Sequence, residues 1–264
     1  MVKERWRFTQ IEDSKIILTK EGEEADLRNS YLIESSPSPG AAGFIALTYF
    51  IDLLKPVKIG EVRSPHFPQV SIVDENGIAS MPKIELYFYN REVKLILMVR
   101  NFPIESSEGG YIIARRLYEL FKSRGVKAYY ALASSRVLGE QSVYVASTSI
   151  THSKNLLDAG AKLSPNLDTL PIDRFTSYML SFFARNDSQA FLLISEVYSY
   201  LPDPAAAKRL LEILSKALKF NVDMEKLDRE IEKQRRMIEE FQRGFGRIIP
   251  EKEEEPSREP FYIG

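Results

Sequence analysis

Apolar residues recur along this chain with two different periods. Short runs rich in β-branched and aromatic residues read as strands at Trp6–Phe8, Lys15–Thr19, Tyr31–Glu34, Ile59–Val62 and Val70–Val73. Lys83–Tyr89 and Glu92–Val99 are two more, and Asn90-Arg91 between them predicts a hairpin. Val126–Ala133, Val143–Thr148 and Gln189–Ser195 complete the set. Leu95–Val99 has no polar alternation, which predicts a central strand covered on both faces. Elsewhere the spacing is helical. Ala42–Leu54 is apolar nearly all round and predicts a buried helix that ends before Pro56. Gly110–Arg124 sets Ile113, Leu117, Leu120 and Phe121 at helical spacing, and Gly125 follows as a left-handed closing residue. Asn155–Ala159, closed by Gly160, and Asp173–Ala184 also read as helices.

The C-terminal third has clear boundaries. Asp203 followed by Pro204 is a helix start, an N-cap acid with proline at the first helical position, and that helix runs to about Leu218. Asp223 caps a last helix that runs to about Gln242. Its stripe is Met224, Leu227, Ile231, Ile238 and Phe241, with Gln234 in the one polar position. Three stretches read as connections: charged Glu21–Arg28, the break Ser35–Gly40 with its two prolines, and Ser64–Pro68. Asn76-Gly77 reads as a turn. Strands alternating with helices predict an α/β fold, a mixed, mostly parallel sheet flanked by helices. The expected division is 1–200 for the α/β domain, 201–243 for two helices packed on it or on a neighbouring subunit, and 244–264 for a flexible acidic tail.

Composition narrows the function classes. The 264 residues carry a net charge of −1, so no global field draws in nucleic acid or an anionic membrane. There is no cysteine, which excludes disulfides, zinc–thiolate sites and thiol nucleophiles. Met1–Arg7 is too polar for a signal peptide, and no apolar run approaches the roughly 18 residues of a membrane span. The expectation is a cytoplasmic protein with no membrane or nucleic-acid partner.

Candidate chemistry is sparse. His66 and His152 stand in loops with no second imidazole near them in sequence. Ser134-Ser135 follows a strand, where an α/β active site could lie, but no Gly-x-Ser-x-Gly elbow is present. Gly40 and Gly43 precede a helix, yet neither phosphate-binding fingerprint is complete, and tight strand-to-helix turning accounts for them. Glu105 and Glu108 fit as acids favoured by a following helix dipole. The Arg229–Arg243 stretch interleaves Glu230, Glu232, Glu239 and Glu240 with its cations and reads as a solvated helix face. No catalytic, metal or cofactor-binding residue is expected, and no cofactor.

The tail is more informative. Phe261-Tyr262-Ile263-Gly264 is an apolar cluster at the end of a leash rich in Glu and Pro. About 20 residues from Gly244 could span at most some 65–70 Å. Such an arm can carry a ring and a carboxylate to a distant pocket.

From Tyr31 to Phe241 the chain resembles the proteasome-assembly-chaperone family, in particular its archaeal members. Pro37-Ser38-Pro39-Gly40-Ala41-Ala42-Gly43 holds the place of the family's Pro-Gly-x-Gly-x-x-Gly run, with Ser38 in place of a glycine. Ile45-Ala46-Leu47, Tyr49-Phe50-Ile51-Asp52, Ile59-Gly60-Glu61 and Phe67-Pro68 follow in order. Tyr198-Ser199-Tyr200-Leu201-Pro202-Asp203-Pro204, then Ala205-Ala206-Ala207, is the most specific element. The resemblance implies a nucleoside-phosphorylase-like sandwich without the catalytic groups, and a non-enzymatic assembly chaperone or ATP-independent proteasome activator. The implied partners are core-particle α-subunits and further copies of this chain, with a paralogous chaperone left open. Some members of that family dock between α-subunits through a terminal hydrophobic–Tyr–any residue motif whose carboxylate meets a lysine. Phe261-Tyr262-Ile263 has that order, and Gly264 displaces the carboxylate by about 3.5 Å. A nucleoside phosphorylase or hydrolase is the alternative, on architecture alone.

Overall fold

The computed structural model describes residues 14–73, 76–136, 140–165, 172–185, 188–233 and 236. In chain order its elements are β1 (Lys15–Leu18), α1 (Lys20–Glu24), β2 (Tyr31–Ser35), α2 (Ala42–Leu54), β3 (Val57–Arg63), β4 (Ile72–Val73), β5 (Ala79–Ser80), β6 (Ile84–Asn90), β7 (Lys94–Val99), α3 (Ser107–Ser123), β8 (Ala128–Ser135), β9 (Val143–Ser147), α4 (Lys154–Asp158), β10 (Lys162–Leu163), α5 (Arg174–Ala184), β11 (Gln189–Glu196) and α6 (Pro204–Leu218). Residues 225–233 are helical and are labelled α7.

Nine strands form one sheet in the order β1-β3-β6-β7-β2-β8-β11-β9-β10. The runs without polar alternation take its middle. There β7, β2, β8 and β11 lie parallel to one another and are buried almost throughout. The other strands extend the sheet on both sides through antiparallel pairs, β6 with β7 and β9 with β11. The sheet is mixed, as expected, with its parallel part at the centre.

Alternation along each central strand feeds two cores. Leu32, Ile96, Tyr129 and Leu192 meet Ile113, Leu117, Phe175 and Phe183 on one face, which α3 and α5 cover. Ile33, Leu97, Tyr130 and Leu193 meet Leu47, Phe50, Leu210 and Leu214 on the other, under α2 and α6. Gly43 lets α2 come this close. A Cβ there would stand 2.2 Å from the Leu132 carbonyl oxygen.

Two expectations need correction. Glu21–Arg28 is not all loop, because Lys20–Glu24 is helical. The Thr19 side chain accepts from the Gly22 N–H at 3.1 Å, and Gly22 has no Cβ to meet the Ile59 carbonyl oxygen. Cap and glycine make this helix, so no apolar stripe announces it. Val70–Val73 narrows to the two-residue β4, exposed and paired with β5 around a turn where Gly77 takes φ +78°. Trp6–Phe8, and the last helix beyond residue 236, lie outside the described residues.

Candidate functional site

In an open α/β sheet, ligands bind where neighbouring parallel strands send their connections to opposite faces. Here that place is the C-terminal end of β2 and β7. β2 leads into α2 on one face and β7 into α3 on the other. The crevice is filled from within. Arg100, just past β7, is 1% exposed. Its Nε and Nη2 donate to Glu34 Oε1 at 2.9 and 2.5 Å. Its Nη1 donates to Asp173 Oδ2 at 2.7 Å and to the Phe102 carbonyl at 2.8 Å. The Phe175 ring lies 4.6 Å from the guanidinium carbon. Tyr129 donates its hydroxyl to Glu34 Oε2, and Thr176 bridges Glu34 and Asp173. Asp173 also caps α5 by accepting from the Thr176 N–H at 3.0 Å.

Burial pushes the Glu34 carboxyl above its ordinary range, and the Tyr129 hydroxyl likewise. Burial would raise Asp173 too, but the Arg100 guanidinium outweighs it and holds that carboxyl below its ordinary range. The two acids therefore act on stability in opposite senses. Asp173 stabilises the fold above its unfolded value of about 3.8, and that share is lost as pH falls through its depressed folded value. Glu34 costs stability as pH rises from about 4.5 through its raised value. Asp173→Asn is accordingly expected to flatten the loss of stability between about pH 5 and about pH 3, read from urea midpoints; an unchanged slope would show that Asp173 titrates alike folded and unfolded.

The sequence candidates fall around this cluster without forming a reaction centre. Ser134 and Ser135 are buried. Ser134 donates its hydroxyl to the Pro39 carbonyl, and its N–H donates to Ser38 Oγ at 3.0 Å. Ser134 thereby ties β8 to the turn ahead of α2. Gly40 in that turn takes φ +73°, and a Cβ would meet Val197 Cγ1 at 2.9 Å. Close strand-to-helix turning thus explains Gly40 and Gly43. His66 packs on Gly109 at the start of α3, while His152 follows β9 at the opposite edge of the sheet. Glu108 lies in the first turn of α3 and Glu105 just before it, as the dipole argument expects. No group of three or more His, Cys, Asp or Glu poised to hold a metal occurs among the described residues. No helix among them is long and apolar enough to cross a membrane. Phe261, Tyr262, Ile263 and Gly264 lie outside the described residues.

The outer rim has a different character. The loop from β11 to α6 holds Tyr198 and Tyr200 each 73% exposed and Leu201 65% exposed. The base of the loop is pinned. The Asp203 side chain accepts from the Ala206 N–H at 2.8 Å, and the Asp203 N–H donates to the Gly40 carbonyl at 2.8 Å. Arg136 stacks its guanidinium 4.7 Å from the centre of the Tyr200 ring. Beside the loop runs a groove of about 560 Å³ between α2 and α7, lined by Phe44, Ile45, Tyr49, Pro202, Pro204 and Leu227. Sequence reasoning singled out Tyr198–Pro204 as a motif without seeing that its rings face outward. It also missed the ion cluster. The available signal was a charge closing each of two apolar runs, Glu34 after Leu32-Ile33 and Arg100 after Leu95–Val99.

These features define an α/β sandwich whose switch point holds a Glu34–Arg100–Asp173 ion cluster and whose adjacent rim is apolar and aromatic. Residues 32–242 match the sequence model of the PAC2 family, and the chain belongs to that family. The uncharacterized protein MJ1210 of Methanocaldococcus jannaschii is 26% identical over 95% of this chain and 98% of its own length. The crystal structure of PbaB from Pyrococcus furiosus, described as an archaeal proteasome activator, aligns at a TM-score of 0.78 with 21% identity. That alignment covers 88% of this chain and 100% of PbaB. PbaA from the same organism, described as an archaeal homolog of proteasome-assembly chaperone, aligns at 0.71 with 23% identity over 90% of this chain and 96% of PbaA. At such identities these likenesses show a shared fold.

Proposed function

We propose that this chain is a non-enzymatic proteasome assembly chaperone or ATP-independent activator that docks on core-particle α-subunits in the cytoplasm. The observation that carries the reading is the exposed rim of Tyr198, Tyr200 and Leu201 on a rigid base. Exposed aromatic side chains with an arginine beside them are the composition of interface hot spots. PAC2 membership and the PbaB and PbaA folds support the same direction. The tail residues Phe261, Tyr262 and Ile263 supply a second contact, and several copies in a homo-oligomer would add avidity. A nucleoside-processing alternative finds no support at the switch point, where Glu34, Arg100 and Asp173 are engaged with one another.

Co-sedimentation with proteasome core particles tests this. The full chain is expected to pellet with the particles, and removal of Phe261–Gly264 to reduce the bound fraction at least tenfold in apparent affinity, about 1.4 kcal/mol. A full chain that stays in the supernatant overturns the reading. A truncated chain that pellets as well as the full one overturns only the tail's share.

A further inference from the structure

Asn76-Gly77 is the one Asn-Gly pair in the chain. It stands between β4 and β5, where Ile72 pairs with Ser80 and Val73 with Ala79. That hairpin is a sheet of its own, separate from the nine strands that carry the core. Asn76 and Gly77 are exposed, and so is every other described residue from Ser71 to Ser80. Strands this short open and close readily in water. Gly77 takes φ +78°, a conformation that suits glycine, and a Cβ there would meet nothing within 4 Å. The backbone nitrogen next to Asn76 therefore belongs to a residue with no side chain to hinder an approach and with open space at its α-carbon.

We propose that Asn76 is a site of self-modification, converted by its own backbone to a mixture of aspartate and isoaspartate. The Gly77 nitrogen gives up its proton to solvent base and attacks Asn76 Cγ, closing a five-membered succinimide ring. The bond from Cγ to the side-chain nitrogen breaks, and that nitrogen takes a proton from water and leaves as ammonia. Water then opens the ring. Attack at Cγ restores the ordinary main chain with aspartate, while attack at the Asn76 backbone carbonyl leaves Gly77 bonded through Cγ, as isoaspartate. Nothing is oxidised or reduced. Holding nucleophile and carbonyl in one dipeptide is what makes the step fast enough to matter. Every other asparagine is followed by a residue that bears a side chain. Asn29 is the nearest competitor, exposed and at φ +61°, but Ser30 after it is buried and its N–H donates to the Leu27 carbonyl at 3.1 Å. Either product puts a carboxylate where a neutral amide stood, beside exposed Ile72, Val73 and Ile78. An apolar surface thus gains charge as the molecule ages.

The full chain and a synthetic peptide of residues 70–82, incubated side by side in mildly alkaline buffer, test this by peptide mapping with mass spectrometry. The peptide serves as the clock. Asn76 in the folded chain is expected to convert on the peptide's timescale, to give both products with isoaspartate in excess, and to outpace Asn29. Asn76→Gln, which must close a six-membered ring, is expected to convert roughly tenfold more slowly or less. A folded chain that keeps Asn76 intact through several half-lives of the peptide overturns the proposal. So does aspartate as the sole product, because direct hydrolysis then made it. A glutamine variant that converts as fast as the unaltered chain overturns it as well.

Discussion

Arg100→Met is expected to lower the free energy of unfolding by about 3–5 kcal/mol. Methionine fills much of the same volume, so the loss comes from charge. Glu34 is fully buried and the Asp173 side chain is 10% exposed, and the guanidinium between them is their common cation. Removing it leaves two carboxylates facing each other away from water, with only hydroxyl and backbone donors left. Arg100→Lys should recover little, since one ammonium cannot reach Glu34, Asp173 and the Phe102 carbonyl together as the planar fork does. The informative variant combines Arg100→Met with Glu34→Gln and Asp173→Asn. With no charge left to strand, most of the lost stability is expected to return. Urea unfolding at fixed protomer concentration reads all three. A loss below about 1 kcal/mol in Arg100→Met would mean that water reaches the cluster and that the crevice is not sealed.

The same cluster shows where sequence reasoning stopped. Elements governed by one periodicity were legible: α2 at Ala42–Leu54, the β6–β7 hairpin, and α6 with its Asp203-Pro204 start. Each needs only local pattern, cap and breaker. Glu34, Arg100 and Asp173 stand 66 and 73 residues apart in the chain, and only the parallel register of β2 with β7 and the seating of α5 brings them together. Composition and motif cannot report a pairing of that span. α1 was hidden for a different reason, because its helix rests on one threonine cap and one glycine contact instead of an apolar face. The rim was half legible. Asp203 and Pro204 announce a helix start, but whether Tyr198, Tyr200 and Leu201 turn inward depends on what α2 and Gly40 already occupy. In the folded chain the core beneath the loop is closed by Val197, Ala206 and Ala207, and the Tyr198 and Tyr200 rings lie outside it.

That closure gives the rim a testable meaning. Tyr198→Ala, Tyr200→Ala and Leu201→Ala combined are expected to weaken association with proteasome core particles by at least 2 kcal/mol, roughly 30-fold. Stability of the isolated protein should stay within about 0.5 kcal/mol, because these side chains are mostly in water already. Tyr200 should dominate the three, since Arg136 holds its ring in place and less freedom is lost when a partner covers it. Asp203→Ala is the control with the opposite profile. It removes the side-chain cap of α6 and should cost about 1 kcal/mol of stability, while binding per folded molecule falls by less than in the triple variant, because the Asp203 N–H still holds the loop base to the Gly40 carbonyl. A rim triple variant that pellets with core particles as the unaltered chain does would remove the rim from the interface and leave the tail to carry it. If that variant instead unfolds, the rings are part of the core's support. The split between binding and stability across the two variants decides which physical role the loop has, and it does so on neighbouring residues of one segment.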